Sequence, residues 1–224
     1  MDQPRLIIGN YNYSSWSMRP WLFIRHHDLP IEITRLALFS EEFYKELGKH
    51  LSNSKVPLLI DDNLEVWDTI AILEYLAEKY PQTRGWPQDS QVCAVARSVC
   101  AEMHASFSAM RNEMPMNCRR YFPGYQISAD ANKDINRIQL IWNHCRQNYG
   151  SAGPWLFGRF SIADAMYAPV VMRFRSFDVE LDNVSQAYCD TMNTSAAVIE
   201  WVENGRMEHE TVSEDEIDWP GEDI

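Results

Sequence analysis

The spacing of the apolar residues switches repeatedly between that of a strand and that of a helix through about the first 80 residues, and then stays helical. This single change of regime restricts the chain to an α/β unit followed by an all-helical one. RLIIG (5–9), behind Pro4, reads as a short buried strand ended by glycine. A helix is expected from about residue 17, with Ser17 as its N-cap, because Pro20 fits most easily in a first turn, where its missing N–H costs nothing. LPIEITRLAL (29–38) reads as a second strand and EEFYKELGKHL as a short helix. KVPLLIDDNLEVWDT reads as a hairpin turning at Asp-Asp-Asn, and TIAILEYLAEKYP as an amphipathic helix with Ile72, Leu73, Leu76 and Tyr80 on one face. The order is β-α-β-α-β-β-α.

The segment PQTRGWPQD then interrupts both patterns with two prolines and a glycine, as an interdomain linker does. Beyond it, 90–114, 130–149, 161–176 and 194–203 carry helical patterning. The expected organisation is an α/β domain over 1–81, a linker over 82–89, an all-helical domain over 90–203 and an acidic tail over 204–224. With 46% apolar residues in 224, the chain can bury a sizeable core.

Charge and cysteine usage narrow the function. The net charge of -12 argues against nucleic acid, since phosphate binding needs clustered Lys and Arg. From residue 203 onward nine carboxylates face Arg206 alone, so that segment is expected to be a solubilising or loosely docked tail. No apolar run approaches the ~20 residues of a bilayer span, and no leader pattern opens the chain, so a cytoplasmic protein is expected. The five cysteines never occur as C-x-x-C, and the six histidines show no ligand spacing, so neither disulfides nor a metal site is expected.

Four short stretches carry a resemblance. SSWSMRP (14–20) is similar to the Ser-Ser-Cys-Ser-x-Arg stretch of the zeta-class glutathione transferases. SNSKVPLL resembles the family's Ser-Pro-x-Gly-Lys-Val-Pro-x-Leu, with Pro57 at the position that is cis in thioredoxin-like folds. WDTIAILEYLAEKYP places Asp68 and Thr69 where the family has Glu-Ser or Gln-Ser, and WLFGRFSIADAMYAPV resembles its Phe-Gly-x-x-Ser-x-Ala-Asp helix start. In this order and spacing they resemble the cytosolic glutathione S-transferase family. The resemblance implies a thioredoxin-like N-terminal domain, an all-α C-terminal domain, glutathione as co-substrate, a small electrophilic second substrate and a homodimer.

Site residues follow from the same matches. Val56, ahead of a cis proline, would present its backbone N–H and C=O to a tripeptide thiol like an added strand. Thr69 opens a helix whose free N–H groups suit a carboxylate, Asp68 can accept from an ammonium, and Lys55 can approach a carboxylate. Ser14 and Ser15 lie between strand and helix, where the resemblance puts the sulfur, and a hydroxyl donated to sulfur favours the thiolate. Ser14 leads, Ser15 follows, and Tyr11 and Tyr13 are rivals from the same loop. Trp16 replaces the zeta cysteine, which removes a thiol for disulfide exchange and reshapes the pocket beside the sulfur, so maleylacetoacetate isomerisation is disfavoured. By family analogy Trp16, Met110, Arg111 and Met114 border the electrophile, although Met103, Phe107, Met110 and Met114 also form an ordinary core stripe. Ser161 and Asp164 read as a capping box. The competing reading is a non-catalytic binding or assembly module on the same fold.

Overall fold

The computed structural model describes residues 3–223. The N-terminal part runs β1 (Arg5–Ile8), α1 (Ser15–His26), β2 (Glu32–Arg35), α2 (Glu41–Leu47), β3 (Leu58–Asp61), β4 (Leu64–Val66) and α3 (Thr69–Lys79). Its sheet has the order β2-β1-β3-β4, with β1 parallel to β2 and antiparallel to β3. β3 and β4 form the expected hairpin, with Leu59 opposite Val66. This is a thioredoxin-like sheet. Leu6, Ile8 and Leu59 point from it into the main core, while Ile7 and Leu58 face a smaller cluster under α2. The split is the period-2 alternation of a strand buried on both faces.

The helical part comprises α4 (Ser90–Ala105), α5 (Ser108–Glu113), α6 (Ala129–Tyr149), α7 (Ile162–Ser176), α8 (Asn183–Asn193) and α9 (Ala196–Met207). Two short strands, β5 (Arg120–Tyr121) and β6 (Glu222–Asp223), pair antiparallel. α7 is buried nearly all round, packing against α1, α4 and α8, and most of its residues are apolar. Ser161 and Asp164 form the capping box at its start: Asp164 accepts the Ser161 N–H at 2.9 Å and the Leu156 N–H at 3.0 Å. One continuous apolar core runs from β1 through α1 to α7 and α9.

Several expectations are corrected. The helix expected from Ser17 begins two residues earlier: Ser14 is the N-cap, without a side-chain capping bond, and Ser17 lies inside α1. Pro20 is therefore mid-helix, and the Trp16 C=O, four residues back, receives no backbone N–H from it. The helical pattern over 90–114 is broken at Phe107, whose φ of 64° ends α4 and restarts the chain as α5. α8, not among the expected helices, buries Tyr188, Cys189 and Met192. The acidic segment is docked, as described below. Gly9 marks a close approach: a Cβ there would fall 2.6 Å from the Leu38 side chain and 3.1 Å from Ser14 Cβ, so a larger residue would have to displace Leu38.

Candidate functional site

Three segments distant in sequence converge on one pocket of about 540 Å³. The start of α1 contributes Trp16, the loop before β3 contributes Ser52, Asn53, Lys55, Val56 and Pro57, and the start of α3 contributes Trp67, Asp68 and Thr69. The Val56–Pro57 bond is cis. Proline has no N–H to give the sheet, and among the described residues Val56 makes no backbone hydrogen bond, so its N–H and C=O are available at the pocket wall. A larger groove of about 870 Å³ between α6 and residues 177–182 contains none of the sequence-predicted residues.

The α3 side is a helix N-terminus. Asp68 is its N-cap, Oδ1 accepting from the Ile70 N–H at 3.1 Å, and its Oδ2 lies 3.8 Å from His104 Nε2 on α4. The Thr69 hydroxyl is not turned to the pocket. It donates to the Trp16 C=O at 3.0 Å, filling the acceptor that Pro20 leaves open. The Thr69 N–H, by contrast, has no acceptor among the described residues. Lys55 is exposed and forms no ion pair among them.

The serines differ. Ser14 Oγ donates to Ser17 Oγ at 2.7 Å, and Ser17 Oγ accepts the Gly9 N–H at 3.1 Å, so Ser14 is drawn into the loop's own network. Ser15, 7% exposed, makes no side-chain hydrogen bond among the described residues. Trp16 packs edge-on against His104 with ring centroids 5.3 Å apart, and the guanidiniums of Arg19 and Arg111 lie 4.4 and 4.9 Å from its ring centre.

Residues 8–78 match the model of the glutathione S-transferase N-terminal domain. A zeta-class glutathione S-transferase of Euphorbia esula is 26% identical over 170 residues, covering 74% of this chain and 72% of that protein. Residues 8–78 belong to the glutathione S-transferase N-terminal domain family. A maleylacetoacetate isomerase of Rattus norvegicus is 25% identical over 188 residues, 81% of this chain and 83% of that one. In fold, the chain resembles a Burkholderia glutathione transferase homologue solved with bound glutathione, with TM-score 0.67 and 20% identity over 92% of this chain and 98% of that one. Ure2p in complex with glutathione gives TM-score 0.65 and 18% identity over 90% and 95%.

The remaining sequence candidates are engaged elsewhere. Met110 and Met114 are fully buried core residues and do not line the pocket; only Arg111 of that trio reaches Trp16. Tyr11 packs edge-on against Trp21 and Trp201, and burial pushes its hydroxyl pKa up. The Tyr13 hydroxyl donates to Glu216 Oε1 at 2.5 Å and accepts from Arg119 at 2.8 Å; burial first, then Glu216, raises its pKa.

Glu216 belongs to the segment expected to be a loose acidic tail. Instead its first residues complete α9, and the rest returns to the loop after β1. Glu208, 8% exposed, accepts from the Tyr11 and Asn12 N–H groups at 2.8 and 3.0 Å, and Arg35 lies 3.3 Å from it. Arg119 also donates to the Glu210 C=O, and Trp219 packs edge-on against Tyr125. Within that acidic run, Glu208, Glu210 and Glu216 are thus each matched to a donor. His104 and Arg119 were missed in the sequence because neither stands in a motif; their roles come from what the fold sets beside them. The buried thiols of Cys118, Cys145 and Cys189 are pushed up to about 12 by burial and are inert as nucleophiles.

Proposed function

We propose that the protein binds glutathione in the pocket between α1, the Val56–Pro57 loop and α3, and conjugates its sulfur to a small electrophile. The observation that carries this reading is the convergence of Trp16, Lys55, Val56, Pro57, Asp68 and Thr69 on one pocket, with Val56 unpaired in the sheet. In this reading Val56 bonds the cysteinyl backbone of glutathione as an added strand would. The open Thr69 N–H at the positive end of α3 takes the γ-glutamyl carboxylate, Asp68 accepts from the α-ammonium, and Lys55 approaches the glycyl carboxylate.

A free thiol titrates near ~8.5, so only a small fraction is thiolate at neutral pH. The group that shifts this balance must donate to sulfur and have its proton free. Ser15 is favoured over Ser14 on that ground, because Ser14 already donates to Ser17. Tyr13 is disfavoured, since Glu216 takes its proton in a hydrogen bond. The thiolate attacks the electrophilic carbon, the C–S bond forms and the leaving group departs with its electron pair; the thiol proton has by then passed to solvent.

Maleylacetoacetate isomerisation, the activity named for the rat relative, is disfavoured by Trp16 at the cysteine position of the zeta pattern. The reading includes a reducing, cytoplasmic setting, which keeps glutathione a thiol, and a homodimer. The second copy is expected to dock on the helical domain, where Leu140 of α6 is exposed. Sedimentation of a ~52 kDa species, twice the 26.1 kDa chain, supports the dimer, and a 26.1 kDa species refutes it. Calorimetry with glutathione, followed by turnover of an electrophile panel, tests the function. Binding without turnover favours the non-catalytic module; no binding removes both readings.

A further inference from the structure

Three guanidiniums line one pocket of about 530 Å³ beneath the C-terminal segment. Arg119 and Arg120 come from the entry to β5 and Arg206 from the last turn of α9, while Thr211, Glu216 and Asp223 of the returning segment close the other side. Half of the lining is cationic, in a chain with 20 basic and 32 acidic residues.

The two carboxylates of the lining do not balance this charge. Glu216 Oε1 accepts from the Tyr13 hydroxyl at 2.5 Å and from the Asn117 side-chain amide at 3.2 Å, and Asp223 lies 3.3 Å from Arg120. Arg119 donates to the Glu208 and Glu210 carbonyls and to the Tyr13 hydroxyl, all neutral acceptors. Arg206 has neither a hydrogen bond nor an ion pair among the described residues. Arg120 donates from Nη2 to the Gly221 C=O at 3.1 Å, but its Nε is buried without an acceptor. Arg175 of α7 stands close behind, where burial and then the Arg206 charge lower its pKa. The Thr211 hydroxyl is exposed and unengaged among the described residues.

Cations gathered this closely repel one another, and an anion between them removes the cost. The guanidinium fork matches two oxygens of a phosphate, and a tetrahedral dianion has oxygens left for donors from other directions. A carboxylate has only two oxygens for three guanidiniums and a hydroxyl. A nucleic acid needs a continuous basic track, which a chain of net charge -12 does not offer around an isolated pocket.

We infer that this pocket binds a phosphate group, as the inorganic ion or the monoester of a small molecule, and that the bound phosphate fastens the C-terminal segment to the body of the protein. Arg120 and Arg206 belong to β5 and α9 on one side, and Thr211 belongs to the segment on the other, so a dianion held by all three bridges them. The same segment brings Glu208 and Glu216 to the loop after β1, which makes the phosphate a further tie on that loop. This site is separate from the pocket between α1 and α3 and holds whether or not that pocket takes glutathione.

The test titrates the full chain with inorganic phosphate and, separately, with glycerol 3-phosphate at about pH 7.5, where a phosphomonoester carries close to two charges. Sodium chloride keeps the ionic strength constant, because exposed charges are screened. Phosphorus NMR reads binding and amide exchange reads the segment. At about five times its dissociation constant, the ligand should slow exchange in residues 208–223 by about sixfold relative to chloride. Arg206→Gln should weaken binding roughly tenfold to a hundredfold, the loss of one charge-assisted hydrogen bond, while leaving exchange without ligand unchanged. Arg206→Lys should recover part of the affinity, and Thr211→Val should independently weaken it by a few-fold; circular dichroism confirms that each variant folds. Binding indifferent to both Arg206→Gln and Thr211→Val, exchange no slower than in chloride, or equal slowing across α6 and α7 from general salt exclusion overturns the proposal. Tighter binding of glycerol 3-phosphate assigns the site to a monoester, and equal or weaker binding assigns it to the inorganic ion.

Discussion

The Thr69 hydroxyl donates to the Trp16 carbonyl across 53 residues of sequence, and it does so because Pro20 has no N–H to offer that carbonyl. A proline inside α1 and a threonine at the start of α3 are thus two halves of one joint, which fixes Trp16 at the pocket wall. Thr69→Val keeps the shape and removes the donor, leaving the carbonyl unsatisfied. It should destabilise the fold by ~1–3 kcal/mol and weaken glutathione binding, while Thr69→Ser should restore both. Urea unfolding and calorimetry on the two variants check this; full stability and affinity in Thr69→Val would dissolve the joint.

Ser15→Ala should raise the thiol pKa of bound glutathione and lower turnover, leaving glutathione affinity within a few-fold. One donor to a thiolate is worth on the order of 1.5–3 kcal/mol, or roughly tenfold to a hundredfold in thiolate population at neutral pH. Ser14→Ala should act mainly on stability, since it removes the bond to Ser17. The readout is thiolate absorbance against pH. A shift in Ser14→Ala with none in Ser15→Ala reverses the assignment.

Tyr13→Phe should leave that thiolate titration unmoved and instead loosen the C-terminal segment. Glu216 would keep Asn117 as a donor at 3.2 Å but lose the phenol. Amide exchange in residues 208–223 should accelerate by about tenfold or more, the loss of a hydrogen bond to a charged acceptor. Unchanged exchange would mean that Arg119 and Glu208 hold the segment alone.

Stability should fall as the solution is acidified through the histidine range. Burial holds the His27 pKa down to about 4 against an ordinary 6.5, and His26 beside it, stacked on Phe160 with centroids 3.9 Å apart, is lowered in the same sense. The unfolded chain therefore takes up protons first. Their contribution is fully present above 6.5 and is lost progressively toward pH 4, the direction of a depressed base. His27→Gln should flatten this dependence in urea titrations between pH 6.5 and 4; an unaltered slope would place the acid sensitivity elsewhere.

Much of the architecture was legible because it depends on local rules. The short apolar runs in RLIIG and KVPLLI, the helical stripe of Ile72, Leu73 and Leu76, and the Ser161–Asp164 box are each contained within a few residues. The helix from Ser17 was misplaced for a non-local reason. Within its own helix a proline favours the first turn, whereas here Thr69 supplies the missing partner from another element.

What the sequence determined by itself was the order of elements, the α/β-then-helical plan and the short pocket motifs, since period and backbone chemistry are set by neighbours along the chain. Only the tertiary structure decided which hydroxyls are free and which charges are matched. Ser14 and Ser15 are equivalent letters until Ser17 takes the hydrogen of one. The C-terminal carboxylates look repulsive until the backbone of Tyr11 and Asn12, with Arg35 and Arg119, meets them. Arg19 and Arg111 are unremarkable cations until α1 and α5 bring both guanidiniums against the Trp16 ring. Hydrogen bonding and charge act through space at a few ångströms, and that distance is a property of the fold.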